Sequence, residues 1–347
     1  MCFNTFVYII KAIEVDSMNY KALIFCALSM LILGSCASNK QPVEESSLLE
    51  QSSKEPRTPP EYLRSLPVPS NMTQKIENRG VVETFSYQTK VYDINGNASQ
   101  SIEKKAHVYL PYDYDERYQY DVLYLMHGGG ETYTYWFQGQ KGAAELLDNI
   151  FDQGLAKSCI VVAPTFYTGD SSGGGMNSEA TDIFKYEFRN DLVPAIEEEY
   201  ATYCKGDVSE ENLIATREHR GFAGLSMGSM TSIRAALLGN LDICAYISSM
   251  SGGYDASDED GTQGFALIHE ALTVTFKDYP IAFWLNSNGT NDIALTPHQN
   301  LNNLILSEMD DYFTEGQNYD WILFPGGQHD FTSWLADLYN TMLVFFL

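Results

Sequence analysis

From residue 121 onward, short apolar runs alternate with longer amphipathic ones, and this alternation limits the possible folds more than any other feature of the chain. The short runs are "DVLYLMH" (121–127), "SCIVVAP" (158–164), "RGFAGLS" (220–226), "ICAYISSMS" (243–251), "IAFWLNS" (281–287) and "DWILFPG" (320–326). Between and after them lie the helix-like "KGAAELLDNIFDQG" (141–154), "DIFKYEFRNDLVPAIEEEY" (182–200), "MTSIRAALLG" (230–239), "HQNLNNLILSEMDDYFTEG" (298–316) and "FTSWLADLYNTMLVFFL" (331–347). Runs that are apolar throughout suit strands buried on both faces, and strands that alternate with helices build a parallel sheet. Upstream, "VVETFSYQTKVYD" (81–93) and "KKAHVYLP" (104–111) flank Asn95-Gly96, a tight-turn dipeptide, and read as an antiparallel hairpin. The expected fold is therefore α/β: a mostly parallel central sheet with antiparallel N-terminal strands and helices on both faces. In such sheets ligands sit at the carboxyl ends of the strands.

The chain has 347 residues, enough for one large domain. Its formal net charge of -25 disfavours nucleic acid and anionic membranes and suits an uncharged partner such as a sugar polymer or a neutral ester. Lys21 precedes the apolar run "ALIFCALSMLIL" (22–33), which is too short to span a bilayer comfortably and has the size of a signal-peptide core. It ends in "LGSC" (33–36), which resembles the lipobox of bacterial lipoproteins. Cys36 is then the lipidation site and residues 1–36 the signal peptide, with Met18 a better start than Met1. Residues 37–65 are rich in Ser, Glu and Pro at their start and read as a flexible linker ahead of a domain spanning 66–347. That arrangement implies an exported lipoprotein, periplasmic or on the cell surface, touching the membrane through the lipid alone. Cys159 and Cys244 sit in apolar runs and read as buried thiols, a disulfide at Cys204 stays open, and the cysteine spacing matches no metal site.

Four short segments fall at expected strand ends. "GLSMG" (224–228) is a G-x-S-x-G pattern, which chance alone would place in roughly one chain of this length in ten. Its small flanking residues are what a strand-turn-helix elbow requires where two backbones approach, and the elbow lifts Ser226 above the sheet as a nucleophile. The Met227 amide at the following helix start would be one oxyanion donor, and "HGGG" (127–130), with Gly129 foremost, would supply the other. His329, in the Gly-rich "GGQHDF" (326–331), is the expected base. Asp292, in "NGTND" (288–292), is the expected acid, ahead of Asp255 and Asp330. The order Ser, acid, His matches an elbow-type serine hydrolase. His107, His219, His269 and His298 read as structural or surface residues, and His127 as a residue that orients the glycine loop.

"YLMHGGG", "FAGLSMGS", "NGTND" and "FPGGQHDFTSW" together resemble the esterase D-like α/β-hydrolases of carbohydrate esterase family 1, and most of all the feruloyl esterase domains attached to or beside bacterial xylanases. The resemblance runs from about residue 75 to the C-terminus. It implies an α/β-hydrolase fold, a Ser226–His329–Asp292 triad, an oxyanion hole of Met227 and the "HGGG" loop, no metal or organic cofactor, and feruloylated plant xylan as substrate. Tyr133, Tyr135, Trp136 and Phe137 cluster after that loop; a planar cinnamoyl group could stack there, or some of these rings simply pack the domain. His127, Trp136, Phe137 and Trp334 are the expected substrate contacts. An acetyl xylan esterase of the same family is the nearest alternative, since nothing in the sequence sizes the acyl pocket. A surface lipoprotein that binds glycan without catalysis is the alternative from another class. The stretches 168–182 and 207–219 match nothing in the family pattern.

Overall fold

The computed structural model describes residues 61–139, 141–168 and 175–347. The expected signal peptide, the Cys36 anchor, most of the 37–65 linker and part of the 168–182 loop lie outside the described residues. The body holds one eight-stranded sheet in the order β1-β2-β4-β3-β5-β6-β7-β8. β1 (Val81–Tyr92) and β2 (Ala98–Leu110) form the antiparallel hairpin about Asn95-Gly96, and β2 pairs antiparallel with β4 (Cys159–Ala163). The remaining strands are parallel: β3 (Asp121–Met126), β5 (Arg220–Leu225), β6 (Tyr246–Met250), β7 (Phe283–Gly289) and β8 (Tyr319–Phe324).

The apolar runs are unbroken because both faces of the sheet are covered. In β3, Val122, Tyr124 and Met126 enter one core, while Leu123 and Leu125 enter the other, the two-residue period of a strand. The second core is roofed by α1 (Ala143–Asp152) and α9 (Phe331–Val344). The first is roofed by α2 (Glu179–Glu187), α3 (Val193–Glu199), the helical stretch after β5, α7 (Thr262–Glu270) and α8 (Leu295–Glu308). The stretch after β5 comprises α5 (Met227–Thr231), a π turn at Ser232–Leu237 and α6 (Leu238–Asn240).

Several boundaries differ from the sequence reading for identifiable reasons. The expected helix 182–200 starts at Glu179 and is broken by a π turn at Phe188–Leu192. Pro194 follows directly and has no amide hydrogen to continue a regular ladder. The 207–219 stretch forms α4 (Glu210–Ala215) and a 3-10 turn at Arg217–His219. α7 was missed, because only Gly264 and Ile268 of its nine residues are buried and its apolar stripe is weak. Residues 62 and 63, assigned to the linker, are bonded to the body: the Tyr62 hydroxyl donates to Asp320 and the Leu63 amide to Asn340. Cys159, Cys204 and Cys244 are buried free thiols. No helix among the described residues is long and apolar enough to cross a membrane.

Two buried ion pairs tie helices to the sheet. Lys104 on β2 donates to both oxygens of Glu187 at the end of α2, at 2.8 and 2.7 Å, and Arg220 on β5 pairs with Glu197 on α3.

Candidate active site

β5 runs straight into α5 through Ser226, whose φ of 53° lies in the left-handed region that a serine rarely adopts. Two close approaches hold that turn. A Cβ on Gly224 would stand 2.3 Å from the carbonyl oxygen of Gly228, and one on Gly228 would stand 2.5 Å from that of His127. The flanking glycines are therefore a packing requirement of the elbow. The Ser226 amide is anchored on the Met250 carbonyl at the end of β6 (2.9 Å).

The acid and the base arrive from neighbouring strand ends. A Cβ on Gly289, the last residue of β7, would lie 2.3 Å from the Gly327 backbone, so Gly289 must be glycine for the loops after β7 and β8 to touch, and a Cβ on Gly327 would be tight at 3.0 Å. The Asn291 amide donates to the Gly327 carbonyl at 2.9 Å and the Gly326 amide to the Thr290 hydroxyl at 2.7 Å. Joined in this way, the loops set His329 Nδ1 2.8 Å from Asp292 Oδ1 and His329 Nε2 2.9 Å from Ser226 Oγ. Carboxylate oxygen only accepts, so Nδ1 carries the proton and Nε2 is the acceptor facing the serine hydroxyl. The Trp334 ring meets the imidazole edge-on, with centroids 5.1 Å apart. Burial pushes the Asp292 carboxyl up, but the His329 bond and the Ala294 amide (2.8 Å) outweigh it and hold the group below the usual carboxylate range. Asp292 is thus an anion at pH 7.

The other acids are engaged elsewhere. Asp255 is ion-paired with Arg234, and Asp330 caps α9 by accepting from the Ser333 amide. Of the remaining histidines, His219 stacks on Tyr203 and bonds Asp121, His107 stands half-buried on β2, and His269 is exposed. His298 is fully buried and structural. The Gly252 amide donates to its Nδ1 and its Nε2 faces Asn286 Oδ1 at 3.0 Å, which props the loop behind the elbow.

The "HGGG" loop lies against the elbow. A Cβ on Gly128 would stand 3.3 Å from Ser226 Cβ, and one on Gly129 would meet the sulfurs of Met227 and Met176 at 2.7 and 2.6 Å. Among the described residues the Gly129 amide has no acceptor, and the Met227 amide, first in α5, has none within its helix. Both donors are therefore open beside Ser226.

The expected substrate contacts need correction. His127 is 1% exposed. Its Nδ1 donates to the Gly128 carbonyl, and its Nε2 accepts from Thr165. Burial pulls its pKa down to about 4, so it stays neutral and braces the loop. Trp136, also 1% exposed, donates to the Met126 carbonyl inside the α1/α9 core. Phe137 stacks on Tyr109. Trp334 is 8% exposed and serves as the wall behind His329. Tyr135 and Trp136 turn inward and pack on Phe331, so these two form core, whereas Tyr133 and Phe137 are half-buried.

Sequence reasoning missed Tyr167. Its hydroxyl accepts from the Gly130 amide at 2.9 Å and donates to the Gly175 carbonyl, tying the His127–Gly130 loop to Gly175. Nothing in "APTFY" distinguishes that tyrosine from a core residue. Among the described residues no group of three His, Cys, Asp or Glu side chains is placed to hold a metal ion.

Comparison with known proteins places this fold among esterases. A feruloyl esterase module from Clostridium thermocellum, solved as a serine-to-alanine mutant with sinapinate, superposes with a TM-score of 0.70 at 26% identity, over 82% of this chain and 94% of that one. Endo-1,4-beta-xylanase Y of Acetivibrio thermocellus is 32% identical over 235 residues, 65% of this chain and 20% of the xylanase. An endo-1,4-beta-xylanase/feruloyl esterase of Xylanibacter ruminicola is 32% identical over 154 residues, 43% of this chain and 19% of that protein. The chain thus spans about one fifth of the length of these two relatives. An esterase family model matches residues 99–345, which takes in the glycine loop, the elbow and the strand ends bearing Asp292 and His329, and the chain belongs to that esterase family.

Proposed function

We propose that the protein is a serine esterase that removes hydroxycinnamoyl groups from plant cell-wall xylan. The observation that carries this reading is the unbroken Asp292–His329–Ser226 relay at the carboxyl edge of the sheet, beside two open amides. Ser226 attacks the ester carbonyl as His329 Nε2 takes its proton. The carbonyl oxygen becomes an oxyanion, and the Met227 and Gly129 amides stabilise it. Asp292 keeps the imidazole in the useful tautomer and balances its cation. Collapse of the intermediate expels the sugar alcohol, which receives the proton from His329. Water, deprotonated by His329, then attacks the acyl-enzyme and releases the acid and Ser226. Every step runs through residues of this chain, with no metal or organic cofactor.

The aromatic acyl class is supported by the sinapinate bound to the Clostridium thermocellum module, and the xylan class by the xylanases whose segments align with this chain. An uncharged, sugar-linked ester also suits a chain of net charge -25. The N-terminal run and Cys36 support an exported protein held at a membrane by lipid, within reach of polymer outside the cytoplasm. Hydrolysis of methyl ferulate beside 4-nitrophenyl acetate tests the reading, with Ser226→Ala as control. Ferulate release that vanishes in the variant is the expected result. Release of acetate alone would make the protein a deacetylase. Activity on neither, in a folded protein, would favour a glycan-binding role.

A further inference from the structure

Behind the triad, on the α9 side of the sheet, lies a cluster of buried polar atoms with no hydrogen-bond partner at ordinary distance among the described residues. It contains the hydroxyls of Ser251 and Ser287, the outer oxygen Oδ2 of Asp292, the indole nitrogen of Trp334 and both oxygens of Asp337. These residues are linked. The Ser251 amide donates to the Ser287 carbonyl at 2.9 Å, and Trp334 and Asp337 lie three residues apart on one face of α9. The Ser251 hydroxyl faces Asp292, and the Ser287 hydroxyl faces Asp337. Asp337 is completely buried. A carboxyl group in that position, unpaired with any cation, costs stability.

We propose that Asp337 is a positioning residue of the triad, a neutral carboxylic acid whose proton holds Ser287 and, through the Ser287 carbonyl that anchors the Ser251 amide, the Ser251 hydroxyl that faces Asp292. A neutral Asp337 donates to the Ser287 hydroxyl and fixes that segment beside the triad. An ionised Asp337 accepts from Ser287 instead and sets a second anion beside the triad carboxylate. Burial, reinforced by the Asp292 charge and only partly offset by Ser287, pushes its pKa up to about 8. The cation that meets α9, Lys141 over the Phe331 ring at the start of the helix, does not act on Asp337. β7 carries no ionisable side chain, Tyr246 of β6 meets Phe345 and Phe346 beyond the helix end, and α1 presents only carboxylates, of which Asp148 is held by Tyr109 and Gly80. Asp292, with His329 behind it, is the charge Asp337 feels.

This inference rests on the esterase reading, so the test uses a probe that reports only Ser226 reactivity. The rate of fluorophosphonate labelling is measured from pH 6 to 9 for the wild type, Asp337→Asn and Asp337→Ala, with melting temperature recorded at each pH. In the wild type the rate is expected to decline above about pH 8. Asp337→Asn, whose amide still donates, should keep the neutral rate, lose the alkaline decline and melt higher than the wild type at pH 7. Asp337→Ala, with no donor, should be slower by about tenfold across the range, the size of one lost buried hydrogen bond. Variants with the wild-type rate and pH profile would make Asp337 a packing residue and overturn the inference alone. A wild type that takes up no label would overturn the esterase reading and this inference with it.

Discussion

At the scale of single residues, the site depends on which atom carries which proton. Asp292 Oδ1 accepts from His329 Nδ1 and from the Ala294 amide. Asp292→Asn would offer an amide hydrogen to Nδ1 and move the imidazole proton to the face that should accept from Ser226. The expected result is a fall in kcat of about 10⁴-fold with little change in melting temperature, measured on 4-nitrophenyl acetate. The pH sign follows from the lowered carboxyl. Asp292 contributes stability above the ordinary carboxylate range, and that contribution is lost as pH falls through its depressed folded value. Acid melting of the wild type should therefore be steeper than that of Asp292→Asn. Most of this constellation was legible in the sequence, because Ser226, His329 and Asp292 each stand in a glycine-marked turn with a steric reason for the glycine. The aromatic residues after the loop were less legible for the opposite reason. Trp136 and Phe137 follow the glycine loop in sequence, but a one-dimensional pattern does not reveal which way a turn rotates its rings.

At the scale of elements, the oxyanion loop owes its position to neighbours outside the parallel core. His127 leans on Thr165, and the Thr165 carbonyl accepts from Lys104, which also pairs with Glu187. Tyr167 fastens the other end of the loop through Gly130. Tyr167→Phe removes one hydroxyl from this tie. It should lower kcat several-fold at unchanged KM for a small ester, the signature of a donor displaced from the transition state. Lys104→Met would leave Glu187 buried without its cation and should cost about 3–5 kcal/mol in chemical denaturation. The double variant Lys104→Met/Glu187→Leu should recover much of that loss, since neither charge remains to be buried. Of these supports only His127 was legible beforehand. Lys104 and Glu187 lie 83 residues apart, and only the order β2-β4-β3 brings strand, loop and helix together.

At the scale of the whole molecule, the parallel sheet divides two cores and gathers the ends of β3, β5, β7 and β8 on one edge. This architecture was readable because unbroken apolar runs leave few alternatives to a doubly covered sheet. Helix boundaries were less readable wherever a π turn or a weak apolar stripe interrupted the period, as at Phe188–Leu192 and in α7. The net charge of -25 acts on every ligand that approaches. For an uncharged ester, kcat/KM should change less than about twofold between low salt and about 0.5 M. Inhibition by ferulate, an anion at neutral pH, should strengthen over the same range as its repulsion is screened.

The central claim is that Ser226 becomes acylated during turnover. The most direct measurement is mass spectrometry of the protein quenched in acid during hydrolysis of 4-nitrophenyl acetate, followed by mapping of the modified peptide. The account predicts a single acetyl group on Ser226, absent in Ser226→Ala and increased in Asp292→Asn if deacylation slows more than acylation. Turnover by a protein that carries no acyl group, or an acyl group on any other residue, would contradict it.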